Sequence, residues 1–392
     1  MPGAGTLEMR PMRPAVSDAV AAALARAVFT VASAGGTMPL SKADKAAIAS
    51  ALPTVFGARR PPDVDTLTTV DSVDLVRVVE DPSTRLDLVR VLGVVALLDG
   101  VVEQAKLEVV LDIASALHVH DEFVDAIQQL SMNHVRWAAY DMIRANVATI
   151  PGVPWRPDDP YSAFLPYHDD ALDPALTARY DRLGNLPDGT FGRAFHEHYV
   201  RNGYAFPGAE FAMVEAWATP HDSLHVLSGY STSAQGELLV AAFTGGMLEP
   251  HADFMESHVL PTILIYHLGI DINKGLNQGD RARQIADPSW RDNFDGNVHL
   301  GLDATRLWTA WQRGRAVGPN LYDGHWDFWT AAPVPLDELR ERYAVAPLDP
   351  ALAAADDDHV QRSDFERPGV KPPPPVSSVP ISDHPPMGPS RN

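Results

Sequence analysis

The sequence predicts an all-α protein: an N-terminal domain of helical hairpins, then a second helical domain with a polar cluster held between two of its helices. Three observations carry this. Long apolar stretches recur at helical rather than alternating spacing, with few β-branched runs. A unit of apolar helix, small or acidic turn and second helix occurs twice, as AVFTVASAGGTMPLSKADKAAIASAL from Ala27 and VLGVVALLDGVVEQAKLEVVLDIASAL from Val91. Proline-rich breaks divide the chain near 150–160 and again beyond 348.

Taken in order, residues 1–14 are expected to be disordered, and residues 15–149 form the hairpin domain. The alanine-rich stretch Ala19–Ala34 imitates a signal-peptide core, but Arg26 interrupts it and its pattern continues as a helix. IPGVPWRPDDP, at 150–160, is too broken by proline for a helix and reads as a linker. Residues 161–347 form the second helical domain. From 348 to 392 the chain turns acidic at Asp356 to Asp358 and then proline-rich, with Pro372 to Pro375 in succession. Such a tail buries too little apolar surface to offset its chain entropy, so a disordered, solubilising tail with polyproline character is expected, a docking peptide being the other reading.

A chain of 392 residues is long enough for two domains with separate cores. Its net charge of −20 disfavours a nucleic-acid partner, because neutralising phosphates requires clustered Lys and Arg. There is no cysteine, which excludes disulfides, thiolate metal sites and cysteine nucleophiles together. No apolar run is long enough to span a bilayer. The expected location is therefore cytoplasmic, with peripheral contact to the inner face of the membrane, and a homo-oligomer is compatible with the sequence.

The chemistry concentrates in residues 219–237, TPHDSLHVLSGYSTSAQGE. Thr219 reads as an N-cap, Pro220 as the first helical residue and Asp222 as a first-turn acid, so a helix is expected to start here. His221 and His225 then lie about 40° apart on that helix, and Asp222 falls within about 100° of the same face. Glu237 would stand about 18 Å further along a continuous helix. The chain must turn, and Gly229 with Ser231 to Ser233 supplies the break. Thr232 and Gln235 are expected to form a capping box opening a second helix that returns Glu237 over the histidines. A lone His221/His225 pair would be as well explained by a polar helix face. With Asp222 and Glu237 at these spacings, a set of two nitrogen and two oxygen donors suits one divalent ion, zinc first, with iron and manganese compatible.

The motif His-Asp-x-x-His, eleven residues, Glu resembles the signature of the fourth Coq protein family of ubiquinone biosynthesis. LPDGTFGRAFHEHY from Leu186, AWQRGRAVGPNLYDGHWDFW from Ala310, and Pro335, Leu336 and LRERY at 339–343 are similar to the same family. The resemblance covers roughly residues 155–345. It implies that His221, Asp222, His225 and Glu237 are metal ligands. It also implies replacement of the C1 carboxylate of a prenylated 4-hydroxybenzoate by hydroxyl, and assembly with other quinone-biosynthesis enzymes on a membrane. The N-terminal repeat resembles tellurite-resistance TerB-like domains through Asp99, Gly100, Glu103 and Glu108. The first copy carries Gly35 and Gly36 where an acid would be expected, and Asp99 and Glu103 read most simply as capping and solvating a helix.

Leu238–Phe243 and Val259–Ile270 are nearly continuous apolar stretches, read as core or as the walls of a groove for a polyprenyl tail, with Pro261 kinking the second. His251, Asp253, Glu256 and His258 form a further polar cluster, and His196 and His198 a weaker one. If all four motif residues ligated at once no position would stay open, which makes Glu237 the candidate catalytic base. Three functions are compatible: a metal-dependent decarboxylating hydroxylase of a prenylated aromatic acid, a noncatalytic isoprenoid-lipid-binding scaffold, and a metal-dependent phosphohydrolase that would also need His196 or His198 and Asp253.

Overall fold

In a computed structural model, residues 15–155, 164–210, 212–248, 255–268, 302–348 and 367 are described. Among them the chain is helical, without a β-strand, and Thr190 and Pro335 make a lone antiparallel bridge. The all-α expectation holds. Helices α1 (Asp18–Ala32) and α2 (Lys42–Phe56) form the first hairpin, α4 (Pro82–Leu97) and α5 (Gln104–Ala116) the second; α3 (Ser72–Val78), α6 (Glu122–Ser131) and α7 (Val135–Ala148) complete this half. Ser17, Asp71, Asp81 and Asp121 each accept a first-turn backbone N–H, and Ser41 with Asp44 forms a reciprocal capping box on α2.

The second half contains α8 (Pro174–Asp181), α9 (Phe191–Asn202), α10 (Glu215–Ser228) and α11 (Ala234–Leu248). Next comes α12 (Leu260–Thr262) between π-helical turns Met255–Val259 and Ile263–His267, followed by α13 (Ala304–Arg315), α14 (Phe328–Ala331) and α15 (Leu336–Arg342). The irregularity expected at Pro261 thus takes the form of π-helical turns on both sides of it.

Buried apolar side chains from Leu24 to Val345 form one continuous cluster. The reason lies in α11, which is buried on every side from Gln235 to Leu248 and so needs neighbours all round. Helix α13 packs along it and also along α2, joining the halves, and the Met255–Val259 turn packs on α7. Polar ties cross the same boundary: the Asn146 amide donates to the Ser257 carbonyl (2.8 Å), and His267 Nε2 lies 2.7 Å from the Leu98 carbonyl. Leu238–Phe243 is core. Helices α11 and α13 approach so closely that only glycine fits: a Cβ on Gly314 would overlap the Phe243 carbonyl, and one on Gly246 the Trp311 carbonyl.

Three local expectations are corrected. Helix α10 begins at Glu215, not at Thr219, and Pro220 lies inside it. Its start is fixed at a distance, since the Glu215 N–H donates to the Tyr167 hydroxyl (3.2 Å) and the Tyr180 hydroxyl donates to the Glu215 carboxylate (2.9 Å). The cap of α11 is Ser233, whose Oγ accepts from Gly236 N (3.0 Å), rather than Thr232. Thr232 donates instead to Asn202 (3.1 Å), and Gln235 accepts from Arg306 (2.9 Å). Asp99 does not solvate a helix face; its carboxylate is 3.1 Å from the buried Lys106 ammonium.

Residues 1–14 and 156–160 of the expected disordered N-terminus and linker lie outside the described residues, as does the expected tail apart from Leu348 and Arg367. Arg367 is 8% exposed. Among the described residues no helix is long and apolar enough to cross a membrane.

Candidate metal centre

Helix α10 ends at Gly229, whose φ of +83° reverses the chain, and α11 returns with Glu237 in its first turn. The expected meeting takes place. His221 Nε2 and His225 Nε2 are 3.2 Å apart, and the Glu237 carboxylate spans them, with Oε2 at 3.4 Å from His221 and Oε1 at 3.5 Å from His225. Donors held about 2.0–2.1 Å from a tetrahedral ion stand about 3.3–3.4 Å from one another. The observed separations fit that requirement, and among the described residues these three form the group able to hold a metal ion.

The two imidazoles are fixed from behind. His225 is buried and its Nδ1 lies 3.1 Å from the Tyr230 carbonyl, which selects the tautomer that leaves Nε2 free to ligate. His221 stacks on the Trp217 indole with ring centroids 4.4 Å apart. The Trp217 indole N–H donates to the Asn146 side-chain Oδ1 (3.1 Å), so a residue of α7 steers a ligand on α10. Removing the indole is expected to weaken metal binding by about tenfold or more while the fold persists, as support groups behind metal ligands do. A chelator competition assay on Trp217→Ala checks this, and unchanged affinity would remove the indole from the centre.

Asp222, the fourth expected ligand, is placed elsewhere. Its Oδ2 accepts a 2.5 Å bond from the Tyr199 hydroxyl, and its Oδ1 is 3.8 Å from His198 Nε2. Burial would raise its pKa, yet the His198 interaction and the charges of His221 and His225 outweigh this and hold it below the ordinary carboxylate value. Glu237 is likewise lowered: burial opposes, and the two histidines prevail. His225 is raised, its burial overcome chiefly by Glu237.

Several residues near the centre are weakly signalled by sequence. His198 stacks on His225 with centroids 5.5 Å apart, whereas His196 stacks on Phe206 (5.4 Å) and lies 3.8 Å from Asp181, apart from the three donors. His258 Nε2 and the Tyr322 hydroxyl are buried without hydrogen-bond partners among the described residues, and their rings are 5.8 Å apart. Both face the centre electrostatically: burial and then the His221 charge lower the His258 pKa to about 3, while burial and then the Asp222 and Glu237 charges raise that of Tyr322. The imidazole is thereby neutral and the phenol protonated. Tyr322 lies in the 310–329 segment and His258 in the second polar cluster, the only sequence signals that pointed to them. His251 and Asp253 of that cluster lie outside the described residues.

No protein-family model matches the chain, and no curated protein matches it either.

Proposed function

We propose that His221, His225 and Glu237 hold one divalent ion, zinc first with iron or manganese as alternatives, and that this centre serves oxidative decarboxylation of a prenylated aromatic acid. In a substrate of the 4-hydroxybenzoate type, the C1 carboxylate would leave as CO₂ and hydroxyl would take its place, with dioxygen as the oxidant and two aromatic acids consumed per O₂ overall, one oxygen atom entering each product. The observation that carries the reading is a three-donor set coupled electrostatically to two buried neutral groups, Tyr322 and His258, whose hydroxyl and Nε2 have no hydrogen-bond partner among the described residues. Three protein donors leave a coordination position for substrate. A bound ion supplies Lewis acidity toward a carboxylate or phenolate.

The chain's own groups account for the rest. The Tyr322 hydroxyl would donate to a substrate oxygen, since its alternative is a buried donor left unsatisfied. Asp222, fixed by Tyr199 and His198, is a carboxylate one position away from His221 that does not join the three-donor set, which suits it to proton handling. With Asp222 held by Tyr199 and outside the three-donor set, Glu237 can ligate and still leave a position open, so the base role expected of Glu237 passes to Asp222 in this reading. Under this reading the partners are an isoprenoid-bearing aromatic and other quinone-forming enzymes at the inner face of a membrane, with a TerB-like N-terminal half.

Incubation of metal-loaded protein with a prenylated 4-hydroxybenzoate under isotopically labelled dioxygen is expected to release CO₂ and place label at the vacated ring carbon. Tyr322→Phe is expected to lower kcat/KM by about tenfold, the worth of one hydrogen bond to a charged oxygen. A copurifying isoprenoid without turnover would replace the enzyme with the scaffold. His198 beside Asp222 gives the hydrolytic reading its one supporting contact, and turnover confined to phosphate esters would establish it instead.

A further inference from the structure

Far along the chain from the metal centre, the turns of the two N-terminal hairpins converge on a buried set of charges. Asp44, in the first turn of α2, and Lys106, in α5, are both fully buried, and Asp99 stands between α4 and α5. Lys106 Nζ lies 3.1 Å from Asp99 and 3.6 Å from Asp44. Two carboxylates against one ammonium leave a buried negative charge that a second cation must neutralise.

That cation is Arg367. Its Nε donates to Asp99 Oδ2 (3.1 Å) and one terminal nitrogen to Asp44 Oδ2 (3.0 Å). The same nitrogen donates to the Ala32 carbonyl (3.1 Å), the other to the Pro39 carbonyl (2.8 Å). Ala32 closes α1, so its carbonyl belongs to the negative end of that helix and has no partner within it. The arrangement is specific to guanidinium: acceptors meet it along its plane from several directions, which a single ammonium could not satisfy. Pro368 follows Arg367 in sequence, and a residue before proline is biased toward extended backbone, from which the side chain can reach inward.

We infer that the turns of the two N-terminal hairpins together form a binding site for the arginine of an extended peptide, and that its occupant is Arg367 of the same chain, docking the C-terminal tail on the N-terminal helices. The site does not depend on the metal centre or on the function proposed for it. The first hairpin lacks an acid at Gly35 and Gly36 but supplies Asp44 and two backbone carbonyls, while the second supplies Asp99 and Lys106; neither alone completes the site. From Leu348 the chain can extend at most about 65 Å before Arg367, ample to cross a molecule of this size. A tether of that length keeps the arginine at an effective concentration on the order of millimolar, so a free peptide competes poorly with it.

The test is fluorescence anisotropy with a labelled synthetic peptide of residues 360–374, titrated with the full-length chain. The peptide is expected to bind full-length Arg367→Ala at least about tenfold more tightly than wild type, whose site is already filled. The same peptide carrying alanine at 367 keeps Arg362 and is expected to lose at least about tenfold in affinity. Equal binding of both peptides, or of one peptide to both proteins, would overturn the inference. Hydrogen exchange provides a readout independent of the peptide: Arg367→Lys in the full chain is expected to deprotect residues 32–44 and 98–106 together, and unchanged protection would count against the site. Light scattering distinguishes the source of the arginine. A wild-type monomer supports docking within one chain, whereas a dimer that dissociates on Arg367→Ala would overturn it in favour of exchange between two copies.

Discussion

Replacing His225 with alanine is expected to take the protein from about one bound divalent ion per chain to none measurable, because two remaining donors cannot hold what three hold. His225 is the most buried of the three, and its Nδ1 contact with Tyr230 positions Nε2 without help from the metal. Structural zinc sites of four ligands bind with about 10–16 kcal/mol, so one ligand is worth on the order of a hundredfold to a thousandfold in affinity. Elemental analysis after gel filtration checks it, with His196→Ala as the control that keeps its metal. Retention of a full complement by His225→Ala would dissolve the centre. The same site should respond to pH with a definite sign. Only neutral imidazole ligates, and in the metal-free protein His225 holds its proton above the ordinary histidine range because Glu237 faces it. Metal affinity is therefore expected to fall by about tenfold per pH unit below that raised value. Stability of the metal-free protein should move oppositely: the contribution of protonated His225 is complete below its unfolded pKa and is lost as pH rises through the raised folded one.

Gly314→Ala is expected to be among the most destabilising of single-methyl additions. A Cβ there would overlap the Phe243 carbonyl, a backbone atom that cannot rotate away, and the reciprocal contact at Gly246 prevents sliding. The helices must separate, which loosens the buried Trp311 packed against Gly246 at the same crossing. Overpacking of well-filled cores costs about 1–3 kcal/mol, and backbone-on-backbone overlap belongs at the upper end or beyond. Because α11 also carries Glu237, metal affinity is expected to fall with stability. Thermal denaturation of Gly314→Ala against Gly324→Ala, where nothing lies near the added methyl, measures the effect; equal melting temperatures would mean that α11 and α13 do not cross in this way.

The helical fold and the meeting of His221, His225 and Glu237 were legible because both rest on short-range periodicity: four residues along one helix, then a glycine turn and a return. What was not legible is fixed by contacts remote in sequence. Local signals placed the start of α10 at Thr219, but Tyr167 and Tyr180 hold it at Glu215. Asp222 has the spacing of a ligand, yet Tyr199, twenty-three residues earlier, takes its carboxylate. Tyr322 and His258 lie in segments that sequence singled out for other reasons, and only the packing of helices couples them to the centre. Arg367 lies in a segment whose composition alone reads as solvated, and nothing local marks it as the counter-charge to Asp44 and Asp99.

The contact between Asn146 and Trp217 bears on how the molecule responds as a unit. Since α7 orients an indole that orients His221, and since α2 shares its packing with α13, global unfolding is expected to take the N-terminal helices and the metal centre together. Ligation free energy is then spread over the whole cooperative unit: an ion at a thousand times its dissociation constant adds about 4 kcal/mol against unfolding of α1 as much as of α10. The N-terminal half is thus thermodynamically linked to metal loading, and by reciprocity whatever binds and stiffens that half through α7 tightens the grip on the ion.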